Sequence, residues 1–129
     1  MSFKKSLVCS ITVLIILCAS IVTPLAAEYF YYNGDTYLAD DLILFNPGSA
    51  SGYTKTTGPS RTTCDVKAEG RFVNDDGSST WGYDYDFGDT VAYVEYYSNQ
   101  RADGFIARNS VVNSSHTQYL KTIVYNMEY

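Results

Sequence analysis

The feature that most restricts this chain is a period of two. From Thr62 to Phe72 apolar and charged residues alternate, with Cys64, Val66, Ala68 and Phe72 on one side and Asp65, Lys67, Glu69 and Arg71 on the other. The pattern returns at Trp81, Tyr83, Tyr85 and Phe87, spaced by Gly82, Asp84 and Asp86, and again in the run from Thr90 to Tyr97. A strand turns successive side chains to opposite faces, so such runs predict half-buried strands with water on one side. Helical periodicity is nearly absent.

Turn residues set the connections. Gly88-Asp89 predicts a two-residue type II′ loop, with glycine at positive φ, that pairs Phe87 with Thr90. In that register Trp81, Tyr83, Tyr85 and Phe87 share a core face with Ala92, Val94 and Tyr96, while Asp84, Asp86, Val91, Tyr93, Glu95 and Tyr97 face outward. Asn74 to Ser78 is a second turn signal, so strands 62–73, 79–87 and 90–98 are expected to form a meander. Asn33-Gly34 predicts a hairpin between 29–32 and 35–38. Leu42 to Phe45 is a short apolar run, and the Gly, Ser, Thr and Pro content of 46–60 predicts a long loop, with room for one edge strand near Tyr53. Gly104–Val112 and Thr117–Met127 read as two more strands joined through 113–115. The second carries Tyr119, Ile123, Tyr125 and Met127 on one face and Leu120 and Val124 on the other, which predicts a central strand. The expected fold is all-β: a small antiparallel sandwich or small barrel of seven to eight short strands.

The N-terminus has a different character. Lys4 and Lys5 precede an apolar run from Leu7 to Val22, and Thr23-Pro24-Leu25-Ala26-Ala27 follows. A charged start, an apolar middle and a small-residue end form the pattern of a secretory signal, here a helix cleaved after Ala27. The run, about 16 residues, is short of the roughly 20 that span hydrocarbon. Residues 1–27 are therefore read as the signal and 28–129 as a single domain, secreted or held at the cell surface and not embedded in the membrane. Cleavage removes Lys4 and Lys5 and leaves seven basic residues against 14 acidic, a charge near −7. That charge repels phosphate backbones, so no nucleic-acid partner is expected. Cys9 and Cys18 depart with the signal. The remaining Cys64 sits on an apolar strand face, where a thiol behaves as a small hydrophobe, so no internal disulfide is expected.

Catalytic and metal signatures are sparse. The one histidine, His116, lies among Ser114, Ser115 and Thr117, without the third group that would orient a nucleophile–base pair. Asp84, Asp86 and Asp89 offer oxygens that suit Ca²⁺, or a carboxylate pair for glycoside hydrolysis. They match no metal-loop spacing, and no cofactor is expected. The unusual quantity is tyrosine: all 13 lie beyond residue 28, with the one tryptophan and five of the six phenylalanines. Most belong to the core and to sheet packing. Tyr93 and Tyr97 do not, because they sit opposite the aromatic core stripe. Exposed tyrosines on a flat sheet stack sugar rings or anchor protein interfaces. The expectation is thus a non-enzymatic binding protein that engages a protein or glycan through Tyr93, Tyr97, Asp84 and Asp86. An exported antimicrobial or toxin-like polypeptide and a small carboxylate-dependent hydrolase are the rival readings.

Overall fold

A computed structural model describes residues 25–60, 63–74 and 79–129; residues 1–24, on which the expected signal helix falls, and residues 61–62 and 75–78 lie outside the described residues. The described chain forms eight strands: β1 (Leu25–Tyr32), β2 (Asp35–Asn46), β3 (Ser49–Thr57), β4 (Cys64–Val73), β5 (Thr80–Gly88), β6 (Val91–Ser98), β7 (Gly104–Asn113) and β8 (Tyr119–Glu128). They pair into two antiparallel four-stranded sheets. Sheet A runs β1-β2-β3-β6 and sheet B runs β5-β4-β7-β8. Strands β1, β2 and β3 pack against β8, β7 and β4. The all-β sandwich expected from the alternation is what forms.

Local turn chemistry accounts for the first hairpin. Asn33 and Gly34 have φ of 50° and 84°, the two positive angles of a type I′ turn, and they pair Tyr32 with Asp35. Leu25, Ala26 and Ala27 already belong to β1 and pair with Leu42, Asp41 and Asp40. The expected cleavage point after Ala27 thus falls inside a strand. Strand β2 is one continuous element rather than two short runs, and its inward positions Tyr37, Ala39, Asp41, Ile43 and Phe45 are all buried. The expected loop over 46–60 is largely strand β3. Its β-branched Thr54 and Thr56 face the interior, where both hydroxyls find partners.

The largest departure from the sequence reading is at Gly88-Asp89. Strands β5 and β6 do not pair as a hairpin: β5 pairs with β4 in sheet B, and β6 pairs with β3 in sheet A. The 62–73/79–87 hairpin forms as expected, but the third strand of the meander belongs to the other sheet. Gly88 is not at positive φ. It is needed for close approach, because a Cβ there would lie 1.7 Å from the Val91 carbonyl oxygen. The seam between the sheets is closed by side chains instead. Trp81 Nε1 donates to Ser98 Oγ at 3.0 Å, Tyr96 Oη donates to the Asp84 carbonyl at 3.3 Å, and Tyr93 N donates to Asp86 Oδ2 at 3.0 Å.

The core interleaves rings with small side chains. Phe72 contacts Trp81, Tyr96 and Phe105 at centroid distances of 5.8, 6.5 and 5.1 Å. Ala39, Ala50, Ala68, Ala92 and Ala107 are wholly buried beside the rings. Cys64 carries no disulfide and packs half-buried against this core. Strand β8 is an edge of sheet B, not the expected central strand.

The sheet switch yields a direct test. Gly88→Ala drives a methyl group into backbone and should cost about 2–3 kcal/mol, the upper part of the usual range for overpacking. Gly48→Ala meets nothing within 4 Å and should stay within about 0.5 kcal/mol of the parent. Urea unfolding of the two variants measures the difference.

Candidate functional site

The register of sheet A defines its outer face row by row. Tyr29, Leu38, Thr57 and Val91 lie side by side; Asp40, Lys55 and Tyr93 form the next row; then Leu42, Tyr53 and Glu95; then Leu44, Ser51 and Tyr97. Tyr31 extends the first row along β1. Tyr29, Tyr31 and Tyr97 expose 63, 67 and 72% of their surface, and Tyr93 exposes 43%. The Tyr53 and Tyr93 rings lie 5.5 Å apart. Tyr53 Oη donates to Asp40 Oδ1 at 3.2 Å, and Tyr93 Oη donates to Glu95 Oε1 at 2.9 Å. The Glu95 hydrogen bond, with a smaller contribution from lost hydration, raises the Tyr93 phenol above its ordinary value.

The four residues singled out in the sequence do not all share this face. Tyr93 and Tyr97 lie on it. Asp84 and Asp86 belong to β5 in the other sheet, at the seam. Asp84 Oδ1 accepts the Tyr85 N–H at 2.8 Å, and Asp86 reaches across to the Tyr93 N–H. The carboxylates accompanying the exposed tyrosines are Asp40 and Glu95. Among the described residues no three His, Cys, Asp or Glu side chains converge as metal ligands do.

A second constellation occupies the outer face of sheet B, where the sequence reading placed only solvated charges. Two bulges build it. Gly70 pairs with Asp84 but Phe72 pairs with Trp81, so β5 carries one extra residue. Gly82 supplies the bulge at φ 66°. The extra residue inverts the alternation. Trp81 turns inward onto Phe72, while Tyr83 and Tyr85 turn outward and stay 53 and 51% exposed. The expected core stripe Trp81, Tyr83, Tyr85, Phe87 is thereby split, and only Trp81 joins the core cluster. The second bulge lies at Leu120, between the pairs Val111–Lys121 and Val112–Tyr119. It tucks Leu120 against the core and sends Tyr119 outward.

These rings cover an ion pair. Lys67 Nζ lies 3.0 Å from Glu69 Oε2 and donates to Tyr119 Oη at 2.5 Å, and Tyr119 Oη donates to Glu69 Oε2 at 2.8 Å. The ammonium sits 5.0, 5.1 and 4.9 Å from the ring centroids of Tyr85, Phe87 and Tyr119, within cation–π range. Both charged side chains are over 90% buried. Burial alone would lower the ammonium pKa, but the hydrogen bonds to Tyr119 and Glu69 outweigh it and raise Lys67 to about 12. His116, in the left-handed region at φ 58°, stacks on Phe87 at 4.1 Å and contacts Asp65 Oδ2 at 2.6 Å.

Between the sheets lies an acid that the alternation could not identify. Asp41 is fully buried. Its Oδ2 accepts from Asn109 Nδ2 at 2.6 Å, and its Oδ1 has no hydrogen-bond partner. Burial raises its pKa to about 7, against the opposing Asn109 hydrogen bond. No known protein family, no curated protein and no solved structure matches this chain.

Two measurements follow from the buried charges. Lys67→Met leaves the Glu69 carboxylate buried without its cation and should cost about 3–5 kcal/mol, whereas Lys67→Met with Glu69→Leu should recover most of that loss; a double-mutant cycle in urea reads the coupling. Asp41 acts through pH. Below about pH 4 the folded and unfolded chains both hold its proton. Between about 4 and 7 only the folded chain does, so stability falls as pH rises, by at most about 4 kcal/mol, and the loss is complete above about 7. Asp41→Asn should abolish this decline and be the more stable protein at pH 8, as judged by urea midpoints at pH 5 and 8.

Proposed function

We propose that this chain is an exported, non-enzymatic binding protein that docks a protein or glycan partner on the outer face of sheet A. One observation carries the reading: Tyr29, Tyr31, Tyr53, Tyr93 and Tyr97 share one sheet face with Leu38, Leu42, Leu44 and Val91. Side chains of soluble sheets facing water are ordinarily polar. A contiguous aromatic and aliphatic face is the usual mark of a contact surface. Tyrosine suits that role because its ring supplies area at low entropic cost while its hydroxyl hydrogen-bonds a partner. Asp40, Lys55 and Glu95 sit among the rings and give the face polar selectivity, the role first assigned to Asp84 and Asp86.

The experiment is a pull-down and a glycan array with the protein and its Tyr93→Ala, Tyr97→Ala double variant. Both positions are exposed, so folding should change by less than about 1 kcal/mol. Capture of the wild-type partner should weaken at least tenfold. Undiminished capture by a folded double variant would remove the face from consideration.

A further inference from the structure

Sheet B holds a second, chemically distinct recess. It is lined by Glu69, Gly70, Arg71, Tyr83, Ile106 and Arg108. Glu69 lies directly opposite Arg108, and Arg71 opposite Ile106, so the two arginines are diagonal cross-strand neighbours, roughly 7–8 Å apart. The cross-strand partner that Arg108 should have is Glu69. That carboxylate is instead held by Lys67 at 3.0 Å and by the hydroxyl of Tyr119 at 2.8 Å. Among the described residues neither guanidinium has a hydrogen bond or ion pair, and Arg71 Nε is buried without an acceptor. A charged donor left in this state is costly. Arg108 is exposed and Arg71 Nε is buried without an acceptor, so the recess presents two arginines whose one neighbouring acid, Glu69, is already engaged by Lys67.

We propose that this recess binds the carboxylate of an acidic sugar, a uronic acid unit of an oligosaccharide. The guanidinium fork of Arg108, seconded by Arg71, matches a carboxylate through paired N–H donors. Glu69 selects against a bare anion, since its own negative charge lines the same recess. Its Oε1 holds only a long contact from the Tyr83 hydroxyl, at 3.4 Å, and a sugar hydroxyl entering the recess would be a closer donor to it. Tyr83 and Tyr85, half exposed with centroids 6.0 Å apart, give the pyranose ring a face to stack on. A ligand with a carboxylate, hydroxyls and a flat C–H face satisfies all three features. An inorganic anion satisfies the first alone, and a neutral sugar lacks it. The recess lies on the opposite sheet from the tyrosine face of sheet A, and its occupation does not depend on that face.

The full-length chain is titrated by calorimetry with a galacturonic acid tetrasaccharide, a neutral glucose tetrasaccharide and a hexaglutamate peptide. The uronate should bind at least tenfold more tightly than either of the others, and its affinity should fall as salt is raised from 50 to 500 mM. Arg108→Gln, at an exposed position, should keep the fold and weaken uronate at least tenfold; Arg71→Gln should do the same, with circular dichroism reporting its fold. Tyr93→Ala with Tyr97→Ala should leave the uronate isotherm unchanged, which separates this site from the face of sheet A. Equal affinity for the neutral sugar, tighter binding of the peptide, no uronate binding, or unaltered binding by Arg108→Gln would each overturn the assignment.

Discussion

The fold depends on a single close approach. At Gly88 the chain leaves sheet B and enters sheet A within two residues, and the Val91 carbonyl occupies the place of the missing Cβ. Had β5 and β6 paired as a hairpin, Tyr83 and Tyr85 would have faced the core beside Val94. Because they separate, β5 is free to take β4 alone as its partner, and its rings are free to turn away from the interior. The two-sheet arrangement follows from that separation, which leaves β5 an edge strand on which the Gly82 bulge sets the direction of its rings. Trp81, Tyr96 and Asp86 then close the seam with hydrogen bonds that a hairpin ladder would otherwise have supplied.

Once β5 stands at an edge, the two bulges decide which rings go where. A bulge adds one residue and reverses every side chain beyond it. On β5 the extra residue sends Trp81 in and Tyr83 out. On β8 it sends Leu120 in and Tyr119 out. The two outward tyrosines meet over Glu69, each with its hydroxyl on that carboxylate, and Lys67 fits beneath. An ion pair in water at the middle of a sheet is worth little. Covered by Tyr85, Phe87 and Tyr119, it becomes a buried unit that fixes the positions of three strands at once. The same cover engages Glu69 with Lys67 and Tyr119, so in the neighbouring recess the acid opposite Arg108 makes no ion pair with it.

Much of this architecture was legible in the residues. The all-β class, the Asn33-Gly34 turn, strands β4, β6 and β7 and the outward placement of Tyr93 and Tyr97 follow from period two and from glycine chemistry. What was not legible has a common cause. Alternation assigns two faces but does not say which sheet a strand joins, and it cannot register an inserted residue. Trp81, Tyr83, Tyr85 and Phe87 keep perfect spacing in sequence although φ 66° at Gly82 breaks it in space. The 46–60 segment failed differently, because Ser, Thr and Gly are read as loop formers. Thr54 and Thr56 are instead β-branched residues with interior partners, Tyr96 Oη at 2.8 Å and Asn109 Oδ1 at 2.8 Å. Asp84 and Asp86 lie on the side of β5 opposite Tyr83 and Tyr85, as alternation predicts, but that side is a seam with β6 rather than a face shared with Tyr93.

The interior shows why a chain with so many tyrosines needs polar groups at its centre. Tyrosines that enter a core bring hydroxyls that must be matched. Tyr96 Oη is held by Thr54 and by the Asp84 carbonyl, which places a hydroxyl-bearing residue of β3 directly beside β6 in the same sheet. Asn109 and Asp41 extend the same polar seam toward β2, joined by the 2.6 Å contact of Asn109 Nδ2 with Asp41 Oδ2. Asp41 is where the seam stops being satisfied: Oδ1 has no partner, and the carboxyl group gives up its charge near neutral pH rather than remain ionised there. The price is a stability that declines as pH rises. The return is lateral register, since an Asn–Asp contact between facing sheets tolerates no slip, whereas rings and alanines packed alone would tolerate several.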